Sequence, residues 1–221
     1  MEKMRLTTSI CCPVLVGLLA MLPPARTTRE VASADSGSEV TDAEYQVLSA
    51  YLTNAFAAKA GKEGAGAEVS SIVIVNATKS DQDDTGNEGL KSASLSKLAK
   101  HLRKNDTALN RATVEDFRRV NSMQASFGSR FDLPVKYQLA AQTDINSVFK
   151  NHGWWSDYYK KYPGSRGWLE FSRVGFSPDR KQALFYVVNT CGDMCGGGSY
   201  VVMVKKDSGW GIAKEIPVWS S

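Results

Sequence analysis

The sequence predicts an α+β domain in which N-terminal helices pack on a mainly antiparallel sheet that ends in a four-stranded β-meander. Apolar residues recur at helical spacing mainly in the first two thirds of the chain, and strand-length apolar runs crowd the part after Trp168. Those late runs are joined by short turns, and only antiparallel strands can be joined so tightly.

The elements follow in order. Thr41-Asp42-Ala43-Glu44 reads as a capping box, with Thr41 as N-cap and Glu44 reaching back to it. Tyr45, Leu48, Leu52, Ala55 and Phe56 then recur at helical spacing, which predicts a helix over 42–59, ended by Gly61, Gly64 and Gly66. Ser71 to Asn76 is a β-branched run, apolar on both faces, as a central buried strand requires. Lys79 to Gly89 reads as an acidic loop. Leu95, Leu98 and Leu102 mark an amphipathic helix whose Lys97, Lys100, Arg103 and Lys104 form a solvated face, or a face for an anionic membrane. Thr113 is expected to cap a helix through Val114, Phe117 and Val120. Phe131, Leu133, Val135, Tyr137 and Leu139 alternate as in a half-buried strand, and Pro134 on its outer side argues for a sheet edge. Thr143 starts a short helical stretch carrying Ile145, Val148 and Phe149. The meander is expected as Trp168–Phe176, Ala183–Asn189, Ser199–Lys206 and Trp210–Ile216.

The first 34 residues are set apart by composition. Lys3 and Arg5 precede an apolar stretch, Ile10 to Leu22, of thirteen residues including Pro13. A bilayer span needs about 20 apolar residues, so a charged lead and a short apolar run predict an export signal instead. Ala32-Ser33-Ala34 fits the small-residue cleavage pattern, and Ala25 is a second exit. Cys11 and Cys12 raise a lipoprotein reading, but they open the apolar run and lack the small-residue motif before them. The expected organisation is a signal over 1–34, a disordered lead-in over 35–40 and a single globular domain over 41–221, periplasmic or extracellular. Four of the 27 basic and two of the 23 acidic residues lie in the signal, which leaves a net charge of about +2. Such a balance provides no broad positive field, so nucleic acid is not an expected partner.

Once the signal is removed, Cys191 and Cys195 are the cysteines that remain. They sit with three residues between them in the run Thr190 to Tyr200, where Gly192, Gly196, Gly197 and Gly198 are expected to take positive φ in a bulged hairpin loop. The spacing suits a disulfide across a hairpin tip, and oxidising compartments preserve such bonds. A redox pair normally uses one residue fewer and a helix N-terminus. A metal site would need further ligands, and only His101 and His152 are on offer.

Trp154, Trp155, Tyr158, Tyr159 and Tyr162 place five aromatics within nine residues. On a helix they form two adjacent stripes, of which one can enter the core and the other can face a partner protein or a glycan. No nucleophile elbow, His-Glu-x-x-His or phosphate loop is present, and no cofactor is implied. The enzymatic alternative is a secreted hydrolase using His152 beside Asp157, or a carboxylate pair drawn from Glu44, Asp81, Asp83 and Asp84. Asp81 to Gly86 has some calcium-loop character but lacks the closing bidentate Glu.

Tyr162-Pro163-Gly164-Ser165, Phe171 to Phe176, Ala183 to Tyr186, Cys191 to Tyr200, Trp210 and Trp219-Ser220 together resemble the C-terminal block of an uncharacterised family of exported bacterial proteins. The order of a Glu-Tyr helix before an Ile-Val-Ile strand is similar as well. The resemblance implies export and fold integrity and brings no catalytic residues. The expected function is thus that of a binding or structural domain. Its candidate surface comprises the disulfide-tied tip and Trp154, Trp155, Tyr158, Tyr159 and Tyr162, bordered by Arg173 and Tyr200.

Overall fold

A computed structural model describes residues 39–60, 70–80, 109–150 and 154–221, all within the compact unit Ser36–Ser221. The segments expected as an export signal, as a basic helix around 97–104 and as an acidic loop from Asp81, together with both histidines, lie outside the described residues.

The β-branched run forms β1 (Ser71–Val75), buried on both faces between two parallel neighbours. On one side is β2 (Lys136–Ala140), on the other β3 (Trp168–Phe171). From β3 the sheet continues antiparallel through β5 (Gln182–Gly192), β6 (Cys195–Lys206) and β7 (Gly209–Ser220), while β4 (Gly175–Phe176) also pairs with β5. The seven-stranded sheet is therefore mixed, though mostly antiparallel.

Several boundaries differ from expectation for physical reasons. β2 does lie at the sheet edge but starts at Lys136, because Pro134 has no N–H to give the ladder. The expected strand Trp168–Phe176 breaks in two at Ser172 to Val174, where Arg173 turns inward to an ion pair. The cysteine segment is less of a loop than expected, since β5 and β6 stay paired to Gly192 and Cys195. None of its glycines has positive φ; among the described residues Gly164, Gly167, Gly209 and Arg180 do. Gly198 is required by close packing instead: a Cβ there would overlap the Tyr186 hydroxyl and the Trp219 indole nitrogen, which are hydrogen-bonded to each other.

Strand side chains alternate between faces, so each strand feeds two layers. Ile72, Ile74, Phe171, Phe185, Val187, Val201 and Met203 point to one face and pack under α1 (Asp42–Ala60) with Tyr45, Leu48, Tyr51 and Leu52. Leu184, Tyr186, Val188, Tyr200 and Val202 point to the other, against α2 (Arg111–Val120) through Val114 and Phe117. Further along that second face, Val73, Val75 and Trp168 pack with α3 (Gln142–Phe149) and α4 (Trp155–Lys161). The result is three layers, with α1 alone on its side among the described residues.

The helix starts are local chemistry. The Thr41 N–H and hydroxyl both donate to the Glu44 carboxylate at 2.9 Å, as the capping box requires. For α2 the cap is Asn110 rather than Thr113: its side-chain oxygen accepts the Ala112 N–H at 2.9 Å, and Thr113 is buried within the helix. Val40, in the expected lead-in, is buried and donates its N–H to Ser126.

Tyr200 sits in the second-face core with its hydroxyl unpartnered among the described residues. An orphaned buried donor costs about 1–3 kcal/mol, so Tyr200→Phe is expected to stabilise the protein by roughly 1 kcal/mol. The urea midpoint measures this. A loss of stability would mean that the hydroxyl has a partner.

Candidate functional site

At the far end of the β5–β6 ladder, Cys191 and Cys195 are joined by a disulfide with Cα atoms 5.0 Å apart. The tip beyond them, Asp193-Met194, is held against α4. Trp155 Nε1 donates to Asp193 Oδ1 at 3.0 Å, and the Tyr159 hydroxyl donates to the Cys191 carbonyl at 2.9 Å. The bond closes so short a loop that its entropic contribution is about 2 kcal/mol. Replacing both cysteines by alanine is accordingly expected to cost about that much in urea unfolding while the β5–β6 pairing persists. Global unfolding of the double variant would refute that ladder-based account.

The aromatic stripes are divided differently from expectation. Trp154 precedes α4 and is 65% exposed, with its N–H donated to the Asp157 carboxylate. That N–H, and the Lys160 ammonium after it, hold the Asp157 carboxyl below its ordinary range. Tyr158 and Tyr162 are buried, Trp155 is half-buried against Phe149 and Trp168, and Tyr159 is half-buried against Trp155 and Tyr158. Trp155 stacks on Trp168 with centroids 5.3 Å apart. Four of the candidate surface residues are therefore corrected to core positions. Tyr158 and Tyr162 pack on the sheet, Tyr200 packs on Phe117, and Arg173 is 4% exposed in an ion pair with Glu44. The exposed remainder at the tip is Trp154 together with Met194, which is 87% exposed.

What the structure adds is a cavity of about 750 Å³ on the α1 face of the sheet, running from α1 to the disulfide. Its apolar floor is Leu52, Ala55, Ile72, Leu169 and Val187, with the Tyr51 ring at one side. Toward the tip the walls turn polar: Ser71, Asn189, Ser199, Glu215, Arg166 and Tyr159, closed by Cys191 and Cys195. Register explains the grouping. Val187 opposes Ser199, and Val201 opposes Glu215, so these polar side chains stand on the same face as Phe185 and Val187. Burial raises the Tyr51 phenol above its ordinary range, and the Glu215 charge raises it further.

Chemically, this arrangement offers hydrogen-bonding groups beside an apolar surface. Glu215 is the sole side-chain carboxylate among the described lining residues, and Glu44 is occupied by Arg173. Among the described residues, no cluster of three or more His, Cys, Asp or Glu side chains could hold a metal ion, and no helix is long and apolar enough to cross a membrane. His152, Asp81, Asp83 and Asp84, on which the hydrolase alternative rests, lie outside the described residues. No protein-family model, curated protein or solved structure matches this chain.

Sequence reasoning did not single out Tyr51, Asn189, Ser199 or Glu215. The available signal was Asn189: it is a polar residue on the inward parity of Phe185 and Val187, directly after the apolar run Ala183–Val188.

Proposed function

We propose that this protein is an exported binding module whose ligand, a small glycan or similar polyhydroxylated molecule, occupies the cavity beside the hairpin tip. The observation that carries the reading is the change along one sheet face from an apolar floor to a wall of amide, hydroxyl, guanidinium and carboxylate groups. Its volume lies in the range of small-molecule sites, about 300–1,000 Å³. Tyr51 and Tyr159 contribute aromatic lining, while Asn189, Ser199 and Glu215 offer hydrogen bonds to hydroxyls. Export is supported by the disulfide and by the charged-then-apolar N-terminus, and it agrees with the resemblance to exported proteins.

The test is a titration of the labelled protein with an oligosaccharide panel, followed by NMR. Binding is expected to perturb Tyr51, Asn189 and Ser199, and Ser199→Trp, which fills the cavity, is expected to weaken it by about tenfold or more. Perturbations confined to Trp154 and Met194, or affinity untouched by Ser199→Trp, would defeat the proposal.

A further inference from the structure

The disulfide differs from a buried staple in three respects. First, its two residues are unequally exposed: Cys195 is exposed, whereas Cys191 is half-buried, its carbonyl accepting from the Tyr159 hydroxyl and its sulfur from Asn189. A nucleophile arriving from solvent therefore meets Cys195 more readily. Second, the inner sulfur is prepared to leave. The Asn189 side-chain N–H donates toward Cys191 Sγ at 3.5 Å, which favours negative charge there. The Cys195 carbonyl lies 3.0 Å from the same sulfur and can accept its S–H once it is protonated. Third, the tip is held by contacts other than the bond. The Gly192–Cys195 pairing, Trp155 to Asp193 and Tyr159 to the Cys191 carbonyl would each survive its reduction. Two thiols kept in register in this way re-form their bond readily, and exposed disulfides are the more exchangeable class.

We infer that Cys195 is the electrophilic sulfur of a reversible thiol–disulfide exchange site, with Cys191 as leaving group and a low-molecular-weight thiol as co-reactant. The thiolate attacks Cys195 Sγ, a mixed disulfide forms there, and the Cys191–Cys195 bond breaks. Its electron pair passes to Cys191 Sγ, which takes a proton from water. A second thiol then attacks the outer sulfur of the mixed disulfide and releases Cys195 as a thiol. Two thiols are thereby oxidised to one disulfide while the protein's cystine is reduced to two cysteines. Back-attack by Cys191 on the mixed disulfide restores the starting state. None of this depends on what the cavity binds.

The experiment uses the oxidised full-length chain and reduced glutathione as probe, with rapid alkylation and peptide mapping of Cys191 and Cys195. Glutathione on Cys195 with alkyl on Cys191 is expected to exceed the reverse pattern by roughly tenfold. Asn189→Ala, which keeps the strand pairing, is expected to reduce that preference several-fold. Equal labelling, the reverse preference, or a bond that stays closed while an exposed linear peptide disulfide is reduced would each overturn the inference. An unchanged ratio in Asn189→Ala would remove Asn189 as the group that favours Cys191 departure. Because the readout is the sulfur labelled rather than a bound ligand, failure here and failure of glycan binding are separate results.

Discussion

Replacing Arg173 with methionine is expected to lower the stability of the protein by about 3–5 kcal/mol, because it leaves a carboxylate buried without its counter-charge. The two side chains are 5% and 3% exposed, and they meet in a two-point contact. Arg173 Nε donates to Glu44 Oε1 at 3.1 Å and a terminal guanidinium nitrogen donates to Oε2 at 2.9 Å. Glu44 also accepts the Val174 N–H at 3.0 Å and the two Thr41 donors. One carboxylate thus starts α1, neutralises Arg173 and fixes the chain between β3 and β4. The Glu44→Gln/Arg173→Met pair removes both charges and is expected to be less destabilised than the sum of the single changes, with coupling of about 1–3 kcal/mol. Arg173→Lys, which keeps the charge and loses the fork, should fall between wild type and Arg173→Met. Urea midpoints for wild type, the two single variants of the pair, the double variant and Arg173→Lys decide the matter. A methionine variant within about 1 kcal/mol of wild type would show that the ion pair adds nothing beyond its apolar replacement.

Arg173 also shows where reading the sequence stopped. Its local pattern, a cation in a strand run, fits a surface rim, and nothing nearby identifies a partner 129 positions away. Short-range features were legible: the Thr41–Glu44 cap, the buried β1, the edge position of β2 and the disulfide. Each is set by neighbours in the chain or by composition alone. The parallel pairing of β1 with β2 and β3 was not legible, because parallel partners are joined by long connections that leave no turn signature. The candidate cavity failed to show for a related reason. It is assembled from α1, β1, β5, β6 and β7, and only the strand register places Asn189, Ser199 and Glu215 on one face. The aromatic crowd at 154–162 was visible but ambiguous, since spacing by four cannot say which stripe meets Trp168.

Gly175→Ala is expected to cost about 3 kcal/mol or more, the upper end for overpacking, although it adds a single methyl group. The added carbon would overlap the Phe117 main chain as well as its Cβ, so α2 itself would have to move. That movement is resisted from several directions. Asp116 accepts the Phe176 N–H at 2.8 Å, Asn121 accepts the Arg173 N–H at 2.8 Å, and Phe117 packs edge-on to Tyr200. The segment Arg173 to Phe176 is thereby clamped between Glu44 on one side and α2 on the other, which gives this stretch a purely structural reason for its composition. A main-chain clash makes a specific claim about rescue. Phe117→Ala in the Gly175→Ala background should restore nothing, because it leaves the Phe117 nitrogen and Cα where they were. Hydrogen exchange should show α2 amides losing protection while the β5, β6 and β7 amides keep theirs. If trimming Phe117 recovers stability, the obstacle is a side chain after all, and the close approach of α2 to β4 is looser than the structure shows.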